Sequence, residues 1–448
     1  MYPSLSRWVT AHTVASAFLV LLCSASTRLF MASRNDATEL LALYPDAPTY
    51  LTPAQSLIDN RAFLDDRGEP EFHRTPGYPA FLSTLRLLVG PQLKTVLIWQ
   101  ALILSFGPLL LYFLGRRLLP PAVALVGAML AAFSPWNAVL AGIPVSDGLF
   151  AVLLIGAFLL LHRTATAGGS RALISAAGVG IVTGIAVLVR PLIPLIVFTP
   201  VAVLACAGVK RATGWMLCAI ALVCALALPA AWMVRNRTVA QFDGLTDITS
   251  QAAWQYLAAR VRADVTGQDR HAMSAAASVE ETTWGIPVHS QELDRERWKR
   301  AVVVFRDHPW RTVYAFGASA FEHTIHPSPD VLTAARLNFA GDSIVLGVWW
   351  GVLLALATVA LWDRRYAFDD VTGNANDRVL VATFLICIGL TLLSGVSYGA
   401  GSRLRAPLDV GVPLLAAAAL SRSSRSARVG TVGVTAVFRA GPARGTRA

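Results

Sequence analysis

The chain has 448 residues, is 55% hydrophobic and only 15% charged, and has a mean hydropathy of +0.55, which excludes an ordinary soluble globular protein and points to a polytopic membrane protein. The net charge of +11 does not signal nucleic acid, because the basic residues lie in short gaps between apolar runs and in the tail rather than on a folded basic surface. Cys23, Cys206, Cys218, Cys224 and Cys387 all fall in apolar runs without a CxxC pair, so neither a disulfide framework nor a thiolate metal site is implied.

Apolar runs of spanning length are predicted at 8–30, 93–115, 119–138, 143–162, 172–189, 191–209, 212–233, 342–362, 378–396 and 404–421. The expected fold is an all-α polytopic membrane bundle of about ten transmembrane helices. Arg7 and Ser24-Ala25-Ser26 give the first run a signal-peptide look, but the many later spans argue for a retained anchor. With the N-terminus inside, one set of loops carries Arg116, Arg117, Arg163, Arg171, Lys210, Arg211, Arg364, Arg365, Arg378 and the Arg-rich tail, whereas the opposite short loops carry only Arg190, Arg403 and Arg405. The positive-inside rule then puts both termini in the cytoplasm and makes those three outer arginines candidates for a role beyond topology. Basic residues that are Arg everywhere except Lys94, Lys210 and Lys299 suggest a GC-rich bacterial genome, hence a bacterial plasma membrane.

The chain thus divides into a first helix (1–30), a long outer segment (31–92), helices two to seven (93–234), a second long outer segment (235–341), helices eight to ten (342–421) and a basic cytoplasmic tail (422–448). Loops this long usually carry a site. Both contain amphipathic stretches with aromatics, Pro76 to Val89 in the first and Trp254 to Val261 and Trp298 to Phe321 in the second, which read as helices lying in the membrane interface.

In the first outer segment Asp46 precedes a Pro-started helix with Tyr50 one turn on, and Arg74 stands two residues before Pro76. Asp at a helix start is also a good cap, so the acid alone decides nothing. Pro76 suits a helix start and Gly77 permits close approach of another group. The helix to Val89 is too short to cross a bilayer. A carboxylate, a fixed guanidinium and an apolar floor at one interface suit sugar transfer from a lipid phosphate: the phosphate needs charge neutralisation, which Arg supplies bidentately, and the acceptor hydroxyl needs one base.

These stretches resemble the GT-C superfamily of polytopic glycosyltransferases, in the branch of the bacterial aminoarabinose transferase and the protein O-mannosyltransferases. D-A-P-T-Y (Asp46 to Tyr50) is similar to the family's D-E-x-x-Y, and H-R-T-P-G-Y-P (His73 to Pro79) to its R/K-x-P-G-Y-P. The stretches Ser134 to Phe150, V-R-P (Val189 to Pro191), W-M-V-R-N (Trp232 to Asn236) and S-R-L-R-A-P-L-D-V-G-V-P (Ser402 to Pro413) resemble further family landmarks in the same order. The resemblance implies an inverting transfer from a polyprenyl-phosphate sugar to an acceptor hydroxyl at the outer face, with Asp46 as base and Arg74 on the donor phosphate. Ala47 stands where the family has a second acid, so any role of that acid moves to Asp147 or Glu71.

Arg235, which opens the second outer segment, and Arg403 are further candidates for the donor phosphate; Arg190 is a weaker one, and snorkelling to headgroups also accounts for Arg190 and Arg235. Tyr50, His73, Tyr78 and Asp147 are candidate substrate-binding side chains, although Asp147 also suits a helix cap. His308, His323 and His326 cluster with Glu322 at spacing too unspecific for zinc. No cofactor is obligatory; a divalent metal ion near Asp46, Asp147 or His73 is compatible with the chemistry. The partners expected are a polyprenyl-phosphate sugar, membrane lipids and an acceptor glycan, lipid or protein. Two other readings stand beside the transferase: a transporter or lipid flippase, which would show broken spans with polar residues near the midplane, and a non-catalytic GT-C-like scaffold.

Overall fold

Proline and glycine set most of the helix boundaries in the computed structural model, which describes residues 2–36, 41, 44, 46–208, 212–325, 340–365, 367, 374–396 and 404–420. The tail 422–448, Arg403 and His326 lie outside the described residues. The chain begins with α1 (Tyr2–Ala11) and α2 (Thr13–Arg34). The first long segment follows with α3 (Asp46–Asp59) and α4 (Gly77–Val89), joined through an isolated bridge between Leu64 and Pro70. Next come α5 (Leu93–Leu104), α6 (Phe106–Leu118), α7 (Pro121–Ala132), α8 (Pro135–Ala141), α9 (Asp147–Thr166), α10 (Gly169–Val189), α11 (Pro194–Ala207) and α12 (Ala212–Ala240). Pro at the first turn suits α7, α8 and α11, because that turn's N–H groups have no partner in the helix.

In the second long segment, α13 (Ile248–Gln251) continues through a π-helical turn (Ala252–Ala258) into α14 (Ala259–Thr266), followed by α15 (Arg270–Thr282), α16 (Gln291–Asp307) and α17 (Pro309–Ile325). The C-terminal part has α18 (Ala340–Trp362), α19 (Ala375–Leu393) and α20 (Leu408–Leu420). No β-strand occurs among the described residues, so the molecule is an all-α bundle as expected.

Each of the ten expected spans contains helix, but the described residues include only six helices long and apolar enough to cross a membrane, or seven if a bent pair is counted as one. The bent pair is α7 and α8, which meet at 54°. Ser134 caps α8 by accepting from the Asn137 N–H, and Pro135 follows, a start signal that ends the preceding helix. α11 has only 14 residues because the chain leaves Arg190 extended at one end and Gly208 adopts a φ of 105° at the other. The described apolar parts of α18 (Leu346–Trp362) and α20 are likewise shorter than a crossing.

Small residues bring the helices together. On α10, Gly180 and Gly184 lie against the backbone of α12: a Cβ at Gly180 would meet the Cβ of Cys224 at 2.6 Å, and one at Gly184 the Ala225 carbonyl at 2.9 Å. Lipid offers no hydrophobic drive between helices, so close backbone approach through such spacing is what holds them. Gly115 and Gly127 do the same for α20, each leaving room for Leu414.

The second long segment differs from a set of interfacial helices. Ala253, Trp254, Ala258, Ala259, Ala263, Met273, Ala277 and Ala301 form their own buried cluster, flanked by Trp284, Val304 and Phe305. The stretch Trp298 to Phe321 is not one helix but two, divided at His308–Pro309, as expected of a proline that cannot donate to the preceding turn. Trp310, Tyr314 and Phe321 remain exposed on α17, in keeping with interface anchoring.

Gly180→Val should therefore separate α10 from α12 and destabilise the protein by about 1–3 kcal/mol or more. Gly168→Ala, where a Cβ meets nothing within 4 Å, should leave thermal unfolding in detergent unchanged.

Candidate active site

The helical period of α3 puts Asp46, Thr49 and Tyr50 on one face, at i, i+3 and i+4. Arg74 meets that face from the loop before α4. Its Nη2 donates to Asp46 Oδ1 at 2.8 Å, its Nε to Thr49 Oγ1 at 2.7 Å and its Nη1 to the Tyr50 hydroxyl at 3.1 Å, while the guanidinium lies 4.4 Å over the Tyr50 ring. The two charges are unequally covered: the Arg74 side chain is 10% exposed and that of Asp46 is 35%. The cation is thus fixed beneath a carboxylate that a second molecule can still reach.

The segment carrying Arg74 is itself anchored. Glu71 Oε1 accepts the Arg74 backbone N–H at 2.9 Å, and Arg235 of α12 donates to the main-chain carbonyls of Glu71 at 2.6 Å and Phe63 at 2.9 Å. Arg235 also stacks on Trp232 at 4.8 Å. Gly77 then lets α4 start against the end of α10, where a Cβ would come within 2.6 Å of the Val189 nitrogen. Any side chain there would push Arg74 away from α3. Tyr78, fully buried, packs edge-on against Tyr50 at 5.1 Å and donates to Gln100 Oε1 at 2.7 Å. Burial above all, then Tyr50 and Asp147, raises its phenol well above the ordinary value against the Gln100 hydrogen bond, so it stays a neutral donor.

Asp147 and Arg190 form a buried ion pair with each other, linking the start of α9 to the end of α10. Ser146 Oγ approaches the Tyr50 hydroxyl at 3.5 Å, too long for a strong hydrogen bond but enough to place this pair beside the α3 face. Asp46, Tyr50, Arg74, Tyr78 and Asp147 therefore converge at one end of the bundle, whereas Arg235 lies behind the 63–71 segment.

A second polar cluster joins the two long segments. His73 Nδ1 lies 2.6 Å from Asp247 Oδ1, Arg297 Nη1 donates to Asp247 Oδ2 at 3.2 Å, and His289 Nδ1 is 3.7 Å from Oδ2. Arg297 also holds Glu281 through two hydrogen bonds of 3.0 and 2.9 Å. Burial alone would raise the Asp247 carboxyl, but His73, His289 and Arg297 together hold it well below the usual carboxylate range. The nearby Asp247 carboxylate raises the His289 imidazole.

His73, Asp247 and His289 are the group among the described residues that could hold a metal ion, with ligand atoms within 4.8 Å of one another. Two imidazoles and a carboxylate are a plausible zinc donor set, although Arg297 already contacts one carboxylate oxygen. Asp46 and Asp147, the other metal positions considered, are each paired to an arginine.

Ala47, where the resemblance implies a second acid, is fully buried in an apolar cluster with Tyr44, Trp136 and Ala406. Glu71 is occupied as described, and Asp147 by Arg190. Sequence reasoning did not single out Thr49, Gln100, Asp247, His289 or Arg297. Thr49 could have been found, since it shares the helical face of Asp46; the others reach the site from up to 223 residues further on than Arg74 and carry no local pattern.

Removing the carboxylate at the hub of the second cluster should leave His73, His289 and Arg297 uncompensated, so Asp247→Ala should cost about 3–5 kcal/mol of stability. A depressed native value means that the contribution of Asp247 is intact at neutral pH and is lost as pH falls below 3.8 through that lower value. Thermal unfolding should show this acid-side loss in the native chain and not in Asp247→Ala.

A family model described as dolichyl-phosphate-mannose-protein mannosyltransferase matches residues 73–233. Among solved structures, the Archaeoglobus fulgidus oligosaccharyltransferase in complex with Zn and sulfate aligns with a TM-score of 0.50 at 14% identity, over 95% of this chain and 51% of that one. The same organism's oligosaccharyltransferase AglB, with an inhibitory peptide and a dolichol-phosphate, aligns at 0.49 and 15% identity over 98% and 53%. ArnT from Cupriavidus metallidurans bound to undecaprenyl phosphate aligns at 0.38 and 15% over 95% and 80%. This chain spans about half the length of the oligosaccharyltransferases it matches, and no curated protein sequence matches it. The family model matches residues 73–233, less than half of the chain, and the structural likeness at 14% identity shows a shared all-helical fold.

Proposed function

We propose that the protein is an inverting glycosyltransferase that moves a sugar from a polyprenyl-phosphate donor to an acceptor hydroxyl at the outer face of a bacterial plasma membrane. The observation that carries this reading is the contact between Asp46 and Arg74, with the carboxylate open and the guanidinium buried. The description of the matched family, which names a dolichyl-phosphate-linked sugar, supports a lipid-phosphate donor.

In this reading the acceptor hydroxyl approaches Asp46, which takes its proton as the oxygen bonds to the anomeric carbon. The bond from that carbon to the phosphate oxygen breaks, and its electron pair leaves with the lipid phosphate. Arg74 lies within contact of the base, so the same residue that orients Asp46 neutralises the departing phosphate. Tyr50, stacked under Arg74, fixes its plane, and Tyr78 supports Tyr50 from below. Arg235 serves the donor by holding the carbonyls of the 63–71 segment in place, with Arg403 as a second phosphate ligand. His73 ties this loop to the second long segment, and Asp147 with Arg190 closes the other side. Proton and phosphate are both handled by these side chains, so the transfer needs no metal; an ion at His73, Asp247 and His289 would act by ordering the loops.

A transporter or flippase is the second reading, favoured by one observation: α7 and α8 form a bent pair, and Arg28, Arg405 and Asp409 are buried inside the bundle. Against it, the α7 break is sealed, since Thr27 Oγ1 of α2 donates to the Ala132 carbonyl at 2.9 Å. In membranes supplied with labelled polyprenyl-phosphate sugar, Asp46→Asn should abolish transfer in a protein that still folds. Arg74→Lys, which keeps the charge but loses the planar fork, should reduce it by about 10²-fold. Uptake of label that survives Asp46→Asn would favour the transporter, and full transfer by Asp46→Asn would remove the transferase reading.

A further inference from the structure

Away from the proposed reacting pair, Arg28 of α2, Arg405 in the turn before α20 and Asp409 of α20 are buried in the bundle, with exposures of 3%, 0% and 3%. They are not equally satisfied. Arg28 donates to Ser24 Oγ at 2.8 Å and approaches the carbonyls of Ser24 and of Ala132, the last residue of α7. It therefore sits at the negative end of that helix dipole. The flat faces of Arg405 are covered by Trp136 at 4.4 Å and Trp350 at 4.3 Å. Among the described residues, none of its three guanidinium nitrogens has a hydrogen-bond partner, and neither does either carboxylate oxygen of Asp409.

Opposite charges at Arg405 and Asp409, each buried without a hydrogen bond among the described residues, call for something further to satisfy them in a close-packed apolar interior. A cavity of about 30 Å³ opens beside Asp409, with Arg28, Asn137 and Asp409 on its polar side and Leu104, Leu111 and Ile155 among its apolar walls; Arg405 does not line it. That is room for one or two water molecules. Water is the smallest group that can donate to Asp409 and accept from an arginine at once; a chloride would be repelled by Asp409 and a cation by the two arginines.

We propose that Asp409 and Arg28 form a water-bridged ionic site inside the bundle, with the charge of Arg405 next to it. The site fastens α20 to the break between α7 and α8, because Trp136, which covers Arg405, begins α8. It borders the apolar cluster that Trp136 and Ala406 share with Tyr44 and Ala47. The inference does not depend on the transferase reading.

Radiolytic hydroxyl labelling of the full chain in lipid nanodiscs tests it without any substitution. Water in the cavity should oxidise Leu104 and Leu111 well above Leu114 and Leu154, which are equally buried but do not line it. Equal labelling of all four would overturn the proposal. A second measurement uses Asp409→Leu, Arg405→Met and the double variant. Each single change should lower Tm by leaving a buried charge uncompensated, and the double change should recover part of that loss. Strictly additive shifts would show that the two residues are not coupled and would also overturn it. A Tm that rises with chloride at constant ionic strength would assign an anion instead of water and defeat the proposal in that form.

Discussion

The geometry of the site depends on one cation, Arg74, being held by three side chains of a single helix face. A guanidinium is planar and carries its donors in a fixed fork, so once Asp46, Thr49 and Tyr50 are spaced at i, i+3 and i+4, one orientation of Arg74 satisfies all of them. The requirement propagates outward. Arg74 can reach that face only if α4 begins tight against α10, and that approach requires a residue without a Cβ at position 77. The P-G-Y sequence is therefore a mechanical element: Pro76 starts the helix, Gly77 permits the contact and Tyr78 fills the space beneath Tyr50.

Charges near or within a lipid phase are tolerated when each is paired or hydrogen-bonded, and the molecule applies this rule at several levels. Asp46 with Arg74 and Asp147 with Arg190 are side-chain pairs, each joining different elements. Arg235 instead uses main-chain carbonyls and thereby fixes a loop rather than a partner charge. Arg28 uses the carbonyl end of a broken helix. Because these two pairs bridge different elements, the polar groups also specify how apolar helices of similar shape are arranged, which apolar packing alone specifies poorly.

The parts legible in the sequence were those with local patterns. Asp46 with Tyr50, and Arg74 before Pro76-Gly77-Tyr78, announce a helix face and a tight helix start within a few residues, and the hydropathy profile locates helix in every expected span. The span count was less legible because a window average does not see a cap. Ser134-Pro135 breaks the third apolar run without lowering its hydropathy, and Pro194 with Gly208 shortens α11 in the same way. Isolated charges inside apolar runs, such as Arg28 and Asp409, left the averages unchanged and were passed over. The reading of the second long segment as interfacial helices missed its small core, because an alanine-rich helix packed on another and an amphipathic helix lying on lipid have similar sequence periods.

The least legible feature, the link between the two long segments, bears directly on how the site works. His73 and Arg74 are adjacent in sequence, yet one turns to Asp247 in the second segment and the other to Asp46 in the first. Main-chain geometry between neighbouring residues is stiff, so a displacement at Asp247 reaches Arg74 through a single peptide unit. Thr246, which donates to the His73 carbonyl, adds a second connection at the same point. The second segment thus controls the position of Arg74, the cation proposed to meet the donor phosphate, without contributing a group to the Asp46–Arg74 pair. Under the proposed transferase function, an acceptor that orders or shifts that segment on binding would thereby set Arg74 at the moment transfer requires it.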